Sequence, residues 1–120
     1  MNLIHSIEIP VRLFSEANNF DHWTKKHKRK KQIQLLIRNS LKNLSIPLPV
    51  EIKLIRQGKI STGLDYVNLV HSMKYVQDCV ADILIPGLAA GRADSDKRIT
   101  WSFDQRKGKK YALIIEIYSQ

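Results

Sequence analysis

Cysteine is almost missing from this chain: Cys79 is the only one in 120 residues. No internal disulfide can form, and neither a cysteine zinc cluster nor a CxxC redox pair can be built. No apolar run approaches the length needed to cross a bilayer. The opening MNLIHSIEIP has neither the basic leader nor the continuous apolar segment of a secretory signal. These absences point away from the membrane and fit a reducing cytoplasm. Acidic residues are also scarce, with 11 Asp and Glu against 20 Lys and Arg, a net charge of +9 and a sequence pI near 9.9. The 5 glycines and 4 prolines are scattered, and there is no low-complexity tract, internal repeat or domain boundary. A chain of this length builds one domain around one core, here residues 1–120.

The basic excess is uneven. Residues 1–60 hold twelve basic and four acidic side chains, whereas residues 61–120 hold eight and seven. A basic half joined to a nearly neutral half with its own acidic cluster points to a polyanion-binding surface beside a separate chemical centre. The densest stretch is KKHKRKK, where Lys25, Lys26, Lys28, Arg29, Lys30 and Lys31 surround His27. On a helix these charges repel at i, i+4, which no isolated fold requires. A polyphosphate offsets that repulsion, because each neutralised phosphate releases counterions. The plainer reading is a solvated helix face. Trp23, just upstream, either packs into the core or stacks on a base.

Periodicity supplies the architecture. Leu3, Ile7 and Ile9 alternate with polar neighbours as a first strand ended by Pro10, and residues 14–20 read as a loop. Asp21 caps a helix whose apolar residues, Ile33, Leu36, Ile37, Leu41 and Leu44, run up to Pro47 and Pro49. Val50 to Arg56 alternate as a second strand, and GKISTG, residues 58–63, is a flexible connection. Leu69, Val70, Met73, Val76, Val80 and Leu84 form the stripe of one second helix closed by Pro86-Gly87. A loop over 87–98 precedes strands over Ile99–Gln105 and Tyr111–Tyr118, joined by a Gly-containing turn as an antiparallel hairpin. The order β-α-β-α-β-β predicts a single-domain α/β fold, a mixed sheet packed against two helices.

The segment LDYVNLVHSMKYVQDCVADILIPGLAAGRADSD, residues 64–96, carries the most specific pattern. It resembles the RusA-like family of Holliday-junction resolvases of phage and prophage type. That family has Asp-x-Asp-Asn before a helix, a Lys and an Asp one turn apart on the helix, and Asp-Asp-Ser on a following loop. Asp65 and Asn68 match the first group, Lys74 and Asp78 the second, and Asp94-Ser95 the third. IPVRLFSEANNFDHW resembles the family's opening strand, loop and His-Trp.

The resemblance implies a Mg2+-dependent endodeoxyribonuclease, with Mn2+ as a substitute, acting as a homodimer on branched DNA in recombination and repair. Magnesium held by carboxylates activates water and stabilises charge on the phosphate. Asp65, Asp94 and Lys74 are then the candidate catalytic residues, and Asp65, Asp78, Asp94 and Asp96 the candidate ligands. His71, Lys74 and Asp78 share one helical stripe, although Lys74 and Asp78 also make sense as a plain i, i+4 ion pair. A two-fold junction calls for two symmetric cuts and so for a dimer.

Two departures stand out. Val67 replaces the second Asp of the pre-helix group, and Ala93 replaces the first acid of the loop pair. Valine cannot bind a hard cation. Asp96 is placed to compensate, two residues from Asp94. The departures favour a rival reading, a degenerate family member that grips DNA structure without cutting it. A basic RNA-binding or ribosome-associated protein explains the charge but not the acidic pattern. The four histidines lack metal-ligand spacing, and Cys79 reads as a small buried side chain rather than a nucleophile.

Overall fold

A computed structural model describes residues 2–13, 23–59, 63–88 and 92–120. The strands are β1 (Leu3–Ile9), β2 (Val50–Gly58), β3 (Ile99–Lys107) and β4 (Ala112–Ser119). The helices are α1 (Trp23–Leu41), α2 (Tyr66–Ser72) and α3 (Lys74–Leu84), with a 3-10 turn over Ala93–Ser95. They form one α/β domain with a four-stranded mixed sheet, as the periodicity predicts. The expectations placed on residues 14–22 and on the Trp23 side chain lie outside the described residues.

The strand order is β1-β4-β2-β3, so the expected hairpin of the last two strands is corrected. β3 pairs in parallel with β2, Ile52 opposite Trp101 and Leu54 opposite Phe103. β4 pairs antiparallel with both β1 and β2. The connection after β3 crosses the end of β2, where the Gly108 amide donates to the Gly58 carbonyl at 2.8 Å. Burial explains the order. In β2, Leu54 and Ile55 are both buried although they point to opposite faces, which suits a central strand. The edge strands β1 and β3 are mostly exposed or half-buried.

Ile33, Ile37 and Leu41 of α1 recur at i, i+4, i+8 and pack with Val76, Cys79 and Val80 of α3 over Ile52, Leu54, Ile115 and Ile117. Cys79 is buried, as its sequence context implies. On the opposite sheet face Ile55, Ala112 and Ile114 form a small second cluster. Around it Lys53 pairs with Asp104 at 3.6 Å and Arg106 with Glu8 at 3.9 Å.

The expected second helix is two. The Ser72 hydroxyl donates to the Leu69 carbonyl at 2.6 Å, the acceptor that the Met73 amide would use in a continuous helix. Met73 bonds Val70 instead, at 3.0 Å. Back-bonding of this kind bends a helix, and here it lets α3 restart at Lys74 with Met73 fully buried.

Candidate functional site

Asp65 stands immediately before α2. One carboxylate oxygen accepts from the Asn68 amide at 2.9 Å and the other from Asn68 Nδ2 at 3.1 Å. The Asp and Asn of the sequence pattern therefore close a helix cap, satisfying an amide that the first turn leaves open. Val67 lies in that first turn, 62% exposed.

Lys74, at the start of α3, reaches across to the 3-10 turn. Its Nζ donates to Asp94 Oδ2 at 2.8 Å and to Asp78 Oδ1 at 3.2 Å. The hydrogen bond to Asp94 first, and Asp78 after it, hold the ammonium above its ordinary pKa. Both readings of Lys74 and Asp78 are thus present at once: an i, i+4 pair that also collects the loop acid. The Trp101 indole fixes the turn, donating Nε1–H to the Asp94 carbonyl at 2.9 Å.

Asp96 is engaged elsewhere. Its carboxylate accepts from Arg98 Nε at 3.0 Å, Arg98 Nη2 at 3.1 Å and the Arg98 amide at 2.9 Å. These bonds lower its pKa to about 2.

The four acids expected as metal ligands do not form one cluster. Among the described residues, no three of His, Cys, Asp and Glu converge as a group able to hold a metal ion. Asp78 and Asp94 do meet, but around an ammonium that sits where a bound cation would. Asp65 is anchored separately. The neighbouring Leu64 amide and carbonyl are held by the Gln105 side chain, whereas Asp94 is held by Trp101. Four residues of β3 part these anchors, about 13 Å of strand. The acids that the resemblance assigns to magnesium are thus not gathered into one centre among the described residues.

The lysine-rich run lies on α1 as expected, and the fold divides it. Lys26, His27 and Lys30 line a cleft of about 430 Å3 whose other wall is His71, Lys74, Tyr75 and Asp78. Arg29 turns instead toward Val11 and Arg12. Lys25, Lys28 and Lys31 are exposed. With no acidic residue in its first turn, α1 adds the positive end of its dipole to these charges. The cleft presents Lys26 and Lys30 on one wall and Lys74 with Asp78 on the other.

Of the residues singled out in the sequence, the fold brings Lys26 and Lys30 to a cleft with Lys74 and Asp78, and Lys74 to Asp94. Trp101, which anchors Asp94, and Arg98, which pairs with Asp96, are not among them. The Asp-Lys-Arg spacing at 96–98 was the available signal for the second, and nothing local marks the first. No family model matches the chain, and comparison with curated proteins and with solved structures finds no match either.

Proposed function

We propose that this chain is a RusA-like protein that binds branched DNA in recombination and repair, gripping phosphates in the cleft between α1 and α3. The observation that carries this reading is the cleft itself, where Lys26 and Lys30 face Lys74 and Asp78. The net charge of +9 supplies the long-range attraction. A homodimer, matching a two-fold junction with two copies of the cleft, completes the proposal. The Lys74 ammonium between Asp78 and Asp94 favours binding over cutting.

The second reading, a Mg2+-dependent endodeoxyribonuclease of the Holliday-junction type, keeps one specific support. Lys74 has a side chain 61% exposed, so a phosphate in the cleft can compete for its ammonium and leave two carboxylates free.

One experiment separates the two. A labelled four-way junction and a matched duplex are titrated with protein in chelator, Mg2+ or Mn2+, over a range of salt. Binding without incision selects the first reading, and paired symmetric cuts select the second. Lys26→Glu with Lys30→Glu should weaken junction binding more than Lys28→Glu with Lys31→Glu. The cleft pair should also flatten the log–log salt dependence by about 2, the slope carried by two phosphate contacts. Unchanged affinity in the cleft pair would refute the cleft as the DNA site.

A further inference from the structure

The connection between β3 and β4 carries more charge than a turn requires. Residues 106–110 read RKGKK, four cations in five positions. Because β2 lies between β3 and β4, this connection spans two strand spacings, about 10 Å, instead of folding back as a hairpin. Lys107, Lys109 and Lys110 are exposed. Among the described residues none of these three side chains has an ion-pair partner. Arg106 meets an acid, Glu8, at 3.9 Å.

The connection is held in one shape. The Gln57 side chain accepts from Arg106 Nε at 2.8 Å and donates to the Lys110 carbonyl at 2.9 Å, so one side chain ties both ends. The Gly108 amide closes on the Gly58 carbonyl at 2.8 Å. A Cβ at Gly108 would run into the Gln57 side chain, so glycine is what lets Gln57 lie across the connection. A solvated lysine turn needs no such bracing. Fixing the backbone beneath the ammonium groups lowers the ordering cost that a bound ligand must offset.

These lysines also continue a basic surface that begins on α1. Tyr111 lines one pocket with Lys109 and Lys110 and the next with Lys59 and Arg12. Arg12 in turn lines a pocket with Arg29 of α1, whose neighbours Lys26 and Lys30 line the cleft. Basic side chains thus follow one another over one end of the domain, from the cleft to the β3–β4 connection. A row of this kind fits a ligand whose charges repeat along its length, the backbone of a nucleic acid. Residues 106–110 hold no apolar side chain to enter a lipid surface, which argues against a membrane.

We propose that Lys107, Lys109 and Lys110 form a second phosphate-backbone contact, which takes the DNA arm leaving the cleft between α1 and α3. The inference rests on the reading of the chain as a DNA-binding protein and adds the path that the bound arm follows. The ammonium groups meet phosphates as point charges, so they add affinity without sequence preference.

The test compares two variants with the same loss of charge. One is Lys109→Gln with Lys110→Gln on the connection. The other is Lys42→Gln, past the far end of α1, with Lys97→Gln, just before β3, both exposed. Binding to a labelled four-way junction is followed by fluorescence anisotropy over a range of salt, beside vesicles containing phosphatidylserine. The connection pair should bind the junction on the order of tenfold more weakly at about 0.1 M salt and flatten the log–log salt dependence by about 2. The other pair should keep the wild-type slope. A wild-type slope in the connection pair, or the same loss in both pairs, overturns the contact. Vesicle binding lost in the connection pair while junction binding stays intact overturns the nucleic-acid partner in favour of lipid. If Lys26→Glu with Lys30→Glu weakens junction binding and the connection pair does not, this surface falls and the cleft stands. No junction binding by the wild type would sink both.

Discussion

Replacing Lys74 with methionine tests the acidic centre most directly. The ammonium lies 2.8 Å from Asp94 and 3.2 Å from Asp78, and methionine keeps most of the stem while removing the charge. The two carboxylate oxygens, which those distances place at most about 6 Å apart, would then face each other, and like charges at that range repel by roughly 1–3 kcal/mol for effective dielectrics between water and ~20. The Lys74 side chain is 61% exposed and that of Asp78 28%, so solvent screening puts the effect at the low end, about 1 kcal/mol.

Urea unfolding near neutral pH and low salt should show that loss. Adding Asp94→Asn should recover most of it, since one of the two facing charges is then gone. Mn2+ should raise the Tm of the methionine variant more than that of wild type, because a cation can take the vacated position. A methionine variant as stable as wild type would refute the account. So would a double variant no more stable than the single one.

Three further outcomes are expected. Val67→Asp places a carboxylate in the first turn of α2 and should stabilise the fold by about 0.3–1 kcal/mol through the helix dipole; if it also confers junction cleavage with Mg2+, Val67 is the gap in the site. Trp101→Phe removes the bond to the Asp94 carbonyl and should cost about 1–2 kcal/mol by urea unfolding, with junction affinity falling as the turn loosens. The Asp96–Arg98 pair should contribute above the ordinary aspartate pKa and fade as pH falls toward the lowered value of about 2. Asp96→Asn should therefore narrow the acid side of the stability profile, and an unchanged profile would count against that pair.

Most of the element order is legible in the sequence because periodicity is local. Ile33, Ile37 and Leu41 announce a helix face, and Val50, Ile52 and Leu54 announce a strand, without reference to anything distant. Pairing is not local. The Gly-containing turn after β3 has the composition of a hairpin, and only the apolar character of β2 on both faces argues that β2 lies between β3 and β4. The break at Met73 depends on which carbonyl the Ser72 hydroxyl takes, and serine alone does not declare that. At the site, Lys74 and Asp78 are neighbours by helical spacing, whereas the approach of Asp94 depends on Trp101 and the fold of the loop.

The strand order also governs when the molecule can form. Among the described strands the one consecutive pair that is hydrogen-bonded, β2 and β3, runs parallel with α2 and α3 between them, so no hairpin is available as a local starting point. The Asn2 amide bonds the Ser119 hydroxyl across 117 positions, and the Ser119 amide returns a bond to the Asn2 carbonyl. Such long loops must close before sheet contacts can stabilise them, which places folding toward the slow end for a domain of this size. β4 joins β1 to β2, so until residues 112–119 have been synthesised β1 has no strand to pair with. Through that interval the apolar edge of β2 stays open to other chains, and α1, whose backbone hydrogen bonds are local, is the element able to form first.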